Sequence, residues 1–403
     1  GTMCPSYRVT RDEQHLTRGR ANTLRLAISG QLGPDAFTSE AMHETMDLCV
    51  GCKGCKRDCP TGVDMARMKI EFLSHYKKKH GHTLKDKLIA RLPDYAHAAS
   101  RMPWLLNLRN SVPAARWLGE KVLGLSAKRS LPAWRSDTFW RAGDASLFVS
   151  REQAIATARD GGKVAVLFVD TFNGTFESEN ALAAAQVLKA AGYALHTVQK
   201  DGGHHCCGRT FLANGMVDEA KARAGALIDA LLPLAEAGIA VVGLEPSCLL
   251  TLRDETLVMG FGAKAQTVAG QALLFEEFIA REAKAGRFRP ALKAIDKPIL
   301  LHGHCHQKAL GAVSPILEVL RLIPGARPEL IESSCCGMAG SFGYEASHYE
   351  VSMQMAEASL LPAVRKNPDA IVVADGTSCR HQIADGAQRE AVHVARLLAA
   401  QLG

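Results

Sequence analysis

The segment Cys49-Val-Gly-Cys52-Lys-Gly-Cys55-Lys-Arg-Asp-Cys59-Pro60 constrains this chain more than any other. Its spacing, C-x2-C-x2-C-x3-C-P, lets three thiolates converge on one cubane iron-sulfur cluster while the fourth points elsewhere. Gly51 and Gly54 allow the backbone to curl around sulfur and aim amide N–H groups at it. Structural zinc sites usually pair two separated C-x2-C hooks, so three nested spacings closed by Cys-Pro favour a 4Fe-4S cluster over zinc. Inert buried thiols account for the pattern least well.

Cys49, Cys52 and Cys55 then need a fourth ligand. In two-cluster ferredoxins the Cys of each Cys-Pro serves the other cluster. That removes Cys59 from its neighbours' site and calls for a separate Cys-Pro, which Met3-Cys4-Pro5 supplies. Cys4 is therefore expected at the fourth corner, and Cys59 at a second cluster whose other ligands are absent here. An isolated Cys-Pro at this place suggests the C-terminal part of a longer chain. A one-cluster protein starting at Met3 would leave Cys59-Pro60 without a task.

At 403 residues the chain is long enough for two or three domains. It has no run of eighteen apolar residues and no basic-then-apolar start over Gly1 to Arg11, so a cytoplasmic location is expected. Reduced thiols in that compartment bind metal more often than they form disulfides. From about residue 163 strand-like and helix-like runs alternate: Val164 to Val169, Ser178 to Ala191, Val241-Val242. That alternation implies parallel α/β architecture.

The same stretch repeats itself. Cys206-Cys207-Gly208 returns 129 residues later as Cys335-Cys336-Gly337, Pro246-Ser247-Cys248 returns after 131 as Thr377-Ser378-Cys379, and Val164 to Val169 returns as Pro298 to His302. Three landmarks at nearly one offset imply a duplicated module. The expected fold is an α-helical ferredoxin domain followed by two repeated α/β modules with parallel sheets. The division is 1–75 for the ferredoxin-like part, truncated at its N-terminus, 76–162 for a basic, proline-broken helical linker, 163–285 for module one and 297–403 for module two.

Module two offers Cys305, Cys335, Cys336 and Cys379, each expected at or just after the C-terminal end of a strand, where parallel sheets gather ligand sites. Four thiolates suffice for a 4Fe-4S cluster. Module one keeps Cys206, Cys207 and Cys248, but Thr171, give or take a residue, stands where Cys305 does. Its three thiols have three readings: zinc with His204 or His205, a cluster with a non-cysteine ligand, or a purely structural role. His302, His304 and His306 alternate, so on a continuing strand they would share a face. Donation of hydrogen bonds to cluster sulfur or to an acceptor is preferred to a zinc site there, and His205, His304 and His306 are the candidates around the thiols.

Residues 1–140 hold 23 Lys and Arg against 13 Asp and Glu. Such a basic stretch can be a solvated face, or can meet an anionic membrane or an acidic protein. A zinc-stabilised interaction protein using Lys77 to Arg135 on nucleic acid or membrane is the rival from another class. The nested cysteine run argues against it, and no nucleic-acid partner is expected.

These residues together carry a resemblance. The paired Cys-Cys-Gly modules resemble the cysteine-rich domains of heterodisulfide reductase, the anaerobic glycerol-3-phosphate dehydrogenase electron-transfer subunit and the glycolate oxidase iron-sulfur subunit. Met3-Cys-Pro-Ser-Tyr-Arg-Val-Thr-Arg-Asp-Glu, Thr17-Arg-Gly-Arg-Ala, His302-Gly-His-Cys-His-Gln-Lys-Ala and Cys335-Cys-Gly-Met-Ala-Gly-Ser-Phe-Gly-Tyr look like the C-terminal half of large fused FAD-linked oxidases. The resemblance implies an oxidoreductase in which an absent FAD domain oxidises a D-2-hydroxy acid such as D-lactate, D-2-hydroxyglutarate or glycolate. This half would relay electrons to a quinone or other acceptor and hold no catalytic residue. The FAD domain would be in cis or, in the subunit alternative, a flavoprotein partner. Peripheral contact with the inner face of a membrane and a homo-oligomer are compatible with it. Glu245 and Gly376 replace the first cysteine of the terminal Cys-x2-Cys of heterodisulfide reductase, which favours a four-cysteine cluster in module two over a five-cysteine one.

Overall fold

In the computed structural model, which describes residues 3–143, 145–200 and 203–403, the apolar runs expected as strands lie side by side in two parallel sheets. The first contains β1 (Val164–Phe168), β2 (Ala194–His196), β3 (Ala240–Gly243) and β4 (Ala272–Leu274) in the order β2-β1-β3-β4. The second contains β5 (Ile299–Leu301), β6 (Pro328–Leu330), β7 (Ile371–Val373) and β8 (Ala391–Val392) in the order β6-β5-β7-β8. Every neighbouring pair within the two sheets is parallel. Both modules therefore share one topology, second strand, first, third, fourth.

That order matters for chemistry. The chain leaves the first strand toward one side and the third toward the other, which opens a crevice beyond their C-terminal ends. Helices with buried Ala and Leu faces cover the sheets, such as Ser178–Ala190 in module one. That helix packs on Val394–Ala400 of module two, and Phe275–Lys284 of module one packs on Ser314–Leu320 of module two. The reciprocal packing joins both modules in one core, which runs from Leu167 and Val242 through Phe275 to Leu301, Val319 and Leu398.

The N-terminal region is helical. Pro5–Thr10, Thr17–Ile28, Glu40–Asp47, Gly54–Asp58 and Met65–His80 surround a small core of Leu24, Met42, Met46 and Phe72. The helix Met65–His80 runs across residue 75, and the turns that follow it to residue 142 are short helices, several opened by a proline at the first or second position. Among the described residues no helix is long and apolar enough to cross a membrane.

Candidate metal centres

Cys4, Cys49, Cys52 and Cys55 line one cavity, partly open to solvent, among the N-terminal helices. The backbone brings them there through positive φ angles: Gly51 at 60°, in the turn between the first two cysteines of the run, is the residue type that enters this region freely. Thr17 donates its N–H to Cys4 Sγ at 3.1 Å, and Met65 donates to Cys55 Sγ at 3.4 Å. Burial pushes the Cys52 and Cys55 thiols up, so without a metal they resist ionising. Four soft donors lining one hollow suit a cubane cluster by their chemistry. Cys59 is not among the lining residues. It lies 3.1 Å from Thr61 Oγ1, and that contact lowers its pKa.

In module two the four thiols meet across the crevice. Cys305 opens the helix Cys305–Ala309 after β5, Cys335 and Cys336 sit in the loop after β6, and Cys379 lies in the first turn of Thr377–Ala387 after β7. Cys335 touches Cys305 and Cys336, and Cys336 touches Cys379. These contacts push Cys305 and Cys336 down and Cys335 and Cys379 up. The glycine of each Cys-Cys-Gly is obligatory. Gly337 has φ 86° and a Cβ there would come within 2.2 Å of Ser352 O; Gly208 has φ 87° and would come within 2.6 Å of Ala220 O.

Two basic side chains lie beside these thiols. Lys308, buried, sends its ammonium to Ser333 O at 2.6 Å and Ser334 O at 2.9 Å and feels the charge of all four cysteines. Burial works against charge on His304, yet the Cys305 thiolate raises it to about 9. His302, Cys336 and Cys379 each bring one ligand atom within 4.8 Å of the others, so a single metal ion is a second occupant these side chains can hold. The cationic surroundings suit an anionic cluster better.

The alternating histidines do not share a strand face. β5 ends at Leu301, and His304 instead caps the next helix, its Nδ1 accepting from His306 N–H at 3.2 Å. The break follows from Gly303, which interrupts the apolar run. His304 Nε2 remains 4.0 Å from Cys305 Sγ, while His306 Nε2 reaches Gly51 O at 3.2 Å, in the turn of the N-terminal cysteine run. His306 thus joins the two thiol sites. His205 neighbours His204 ahead of Cys206.

Module one repeats the scaffold with different neighbours. Cys207 touches Cys206 and Cys248, and Thr171 opens the helix after β1 at the place of Cys305, its Oγ1 2.6 Å from His204 Nε2. Contacts with Cys206 and Cys248, and then the Arg209 charge, lower Cys207, and buried acids lie nearby as well. Burial, and then the Glu245 charge, raise Asp170 to about 7, and burial lowers His204 to about 4.

Sequence spacing gave no sign of the ion-pair cluster that seats the N-terminal domain on module one. Lys53 is buried with its ammonium 2.7 Å from Asp254, 2.9 Å from Glu255 and 3.6 Å from Asp64, and Lys56 adds a bond to Asp254 at 2.6 Å. On the module two side His348 Nε2 lies 2.6 Å from Asp47.

The chain carries a 4Fe-4S dicluster domain and two cysteine-rich domains. The first is matched over residues 2–63 and the second over 170–253 and 300–384. D-2-hydroxyglutarate dehydrogenase of Escherichia coli K12 is 24% identical over 94% of this chain and 40% of its own length. A subunit of the anaerobic glycerol-3-phosphate dehydrogenase of the same organism is 27% identical over 74% of this chain and 72% of its own. The organism's glycolate oxidase iron-sulfur subunit is 23% identical over 97% and 89%. The chain thus spans about two fifths of the D-2-hydroxyglutarate dehydrogenase it matches. No solved structure matches it. The relatives are of the kinds the motifs suggested, and an iron-sulfur domain of this type indicates electron transfer.

Proposed function

We propose that this chain is the iron-sulfur portion of an FAD-dependent D-2-hydroxy-acid dehydrogenase, relaying electrons from a flavin domain in cis to a quinone or another acceptor. The observation that carries the proposal is the convergence of four thiols at each of two places, one in the helical domain and one in module two. Cys4, Cys49, Cys52 and Cys55 would hold one 4Fe-4S cluster, and Cys305, Cys335, Cys336 and Cys379 another. Cys59 would serve a further cluster with ligands from outside this chain. The clusters supply one-electron redox chemistry, and no acid, base or nucleophile of the chain takes part in bond making.

The residues around the thiols have separate tasks. Thr17 and Met65 hold donors against sulfur in the first site, and Gly208 and Gly337 N–H groups do so at 3.3 Å in the modules. Such bonds favour the more negative, reduced state and raise its potential. Lys308 and His304 do the same by charge.

Iron and sulfide analysis of anaerobically purified protein, with EPR after dithionite, tests this. About eight irons per chain and a reduced-cluster signal are expected. A colourless, zinc-loaded protein sinks it.

A second reading is a separate subunit that docks on a flavoprotein, favoured by the 89% coverage of the glycolate oxidase iron-sulfur subunit. An in-frame FAD domain in the upstream coding sequence selects the first reading, and a start codon near Gly1 selects the second. Either reading fits a cytoplasmic protein.

A further inference from the structure

Nine of the nineteen exposed large hydrophobic side chains among the described residues fall within 102–122. This segment forms three short helices, Pro103–Leu106, Leu108–Ser111 and Pro113–Leu123, and none of their residues is buried. Trp104 is 69% exposed and Trp117 60%.

The last of these helices is amphipathic the wrong way round. An ordinary surface helix turns its apolar stripe to the core. Here Ala114, Trp117, Leu118, Lys121 and Val122, one face at i, i+3, i+4, i+7 and i+8, point to solvent. The half-buried face carries the polar groups instead. Arg116 Nε donates to Asn110 O at 3.0 Å, and Glu120 accepts from Ala127 N–H at 2.6 Å.

The charge says what covers this face. Residues 101–122 contain four cations, Arg101, Arg109, Arg116 and Lys121, and one acid, Glu120, whose carboxylate is bound to backbone. Arg101 and Lys121 are exposed beside the tryptophans. Face-to-face contact with a second copy would oppose like charges, and a nucleic acid, whose bases can stack on tryptophan, offers nothing to Leu105, Leu106, Leu108, Leu118 and Val122. An apolar face carrying tryptophan, bordered by cations, matches the boundary between anionic headgroups and acyl chains.

We propose that the helices over residues 103–123 dock this protein on the surface of an anionic lipid bilayer, with Trp104, Trp117 and Leu118 entering the headgroup boundary and Arg101 and Lys121 meeting lipid phosphates. The docking is peripheral, since none of these helices exceeds eleven residues.

Flotation of the full chain with vesicles tests this, using phosphatidylcholine alone and with about 30 mol% phosphatidylglycerol. The protein is expected to float with the anionic vesicles, with a blue shift of tryptophan emission, and to be released by salt. The double variant Trp104→Ser/Trp117→Ser and the double variant Arg101→Glu/Lys121→Glu should each bind about tenfold more weakly. Their melting temperature and visible absorbance should match the parent, because all four side chains are exposed. The proposal fails if the parent stays at the bottom of the gradient, if it binds both vesicle types alike, or if the variants float as the parent does. It also fails if the tryptophan substitutions only abolish a concentration-dependent dimer, or binding to an acidic protein, with no vesicle binding by the parent.

Discussion

Modules one and two have the same strand order and the same Cys-Cys-Gly turn, yet module two sets Lys308 and a raised His304 beside four thiols, whereas module one sets Arg209 and the buried acid Asp170 beside three. Cys305, His304 and Lys308 of module two correspond to Thr171, Asp170 and Gly174 of module one, and Gly376 corresponds to Glu245. A cluster bound by four thiolates is an anion, and cations and N–H donors stabilise it. Module two offers these. Module one offers a buried carboxyl raised to about 7 and three thiols, and it receives the N-terminal domain through Asp254 and Glu255. Duplication kept the scaffold in both halves, and the difference is the ground for proposing redox work for one and anchoring for the other.

The largest effect that would break this division lies in the central thiols. Cys336→Ser should remove about four irons per chain, half of the total, and its part of the EPR signal, whereas Cys207→Ser should leave both unchanged. Equal losses would return module one to the ranks of cluster sites.

Anchoring is tested by Lys53→Met. It removes one of the cations on Asp254 and Glu255 while Lys56 and Arg67 remain on Asp254 and Arg209 on Glu255, which should cost about 1–3 kcal/mol in denaturant unfolding, with iron per folded chain retained. A change under about 0.5 kcal/mol would place the anchor elsewhere.

A smaller effect concerns pH. Asp170, raised from an ordinary 3.8 to about 7, keeps a proton in the folded chain that the unfolded chain has lost between those values. Its stabilising contribution is therefore full below about pH 4 and disappears as pH rises through 7. Asp170→Asn should flatten the fall in melting temperature over that interval, by about 1–3 kcal/mol in stability. A parallel pH profile in variant and parent would show that the acid is not strained by burial.

The finest test is Lys308→Met, which should lower the potential of the module two centre by on the order of tens of millivolts, with Lys308→Arg restoring most of it. An unchanged potential in a correctly loaded variant would confine Lys308 to holding the loop at Ser333 and Ser334.

Much of this architecture was legible in the chain. The buried runs at Val164 and Pro298 became first strands because continuous β-branched and aliphatic residues satisfy a sheet covered on both faces. The repeat offset carried the shared topology, and the placement of Thr171 opposite Cys305 followed from it. Other features had no local signal. His302, His304 and His306 read as one face until Gly303 and the capping role of His304 ended the strand. Lys53 meets Asp254 across 201 residues of sequence, a distance at which spacing says nothing. The period of residues 113–123 marks an apolar face, but only the fold shows that it looks outward.

The Lys53 contact also limits motion. Many electron carriers deliver their charge by diffusing or swinging between donor and acceptor. Here, swinging the N-terminal domain away would strip a buried ammonium from two carboxylates and break the contact of His306 with Gly51 O. With clusters at both thiol sites, as proposed, these contacts would hold their spacing, and electron exchange between them is expected to be insensitive to solvent viscosity.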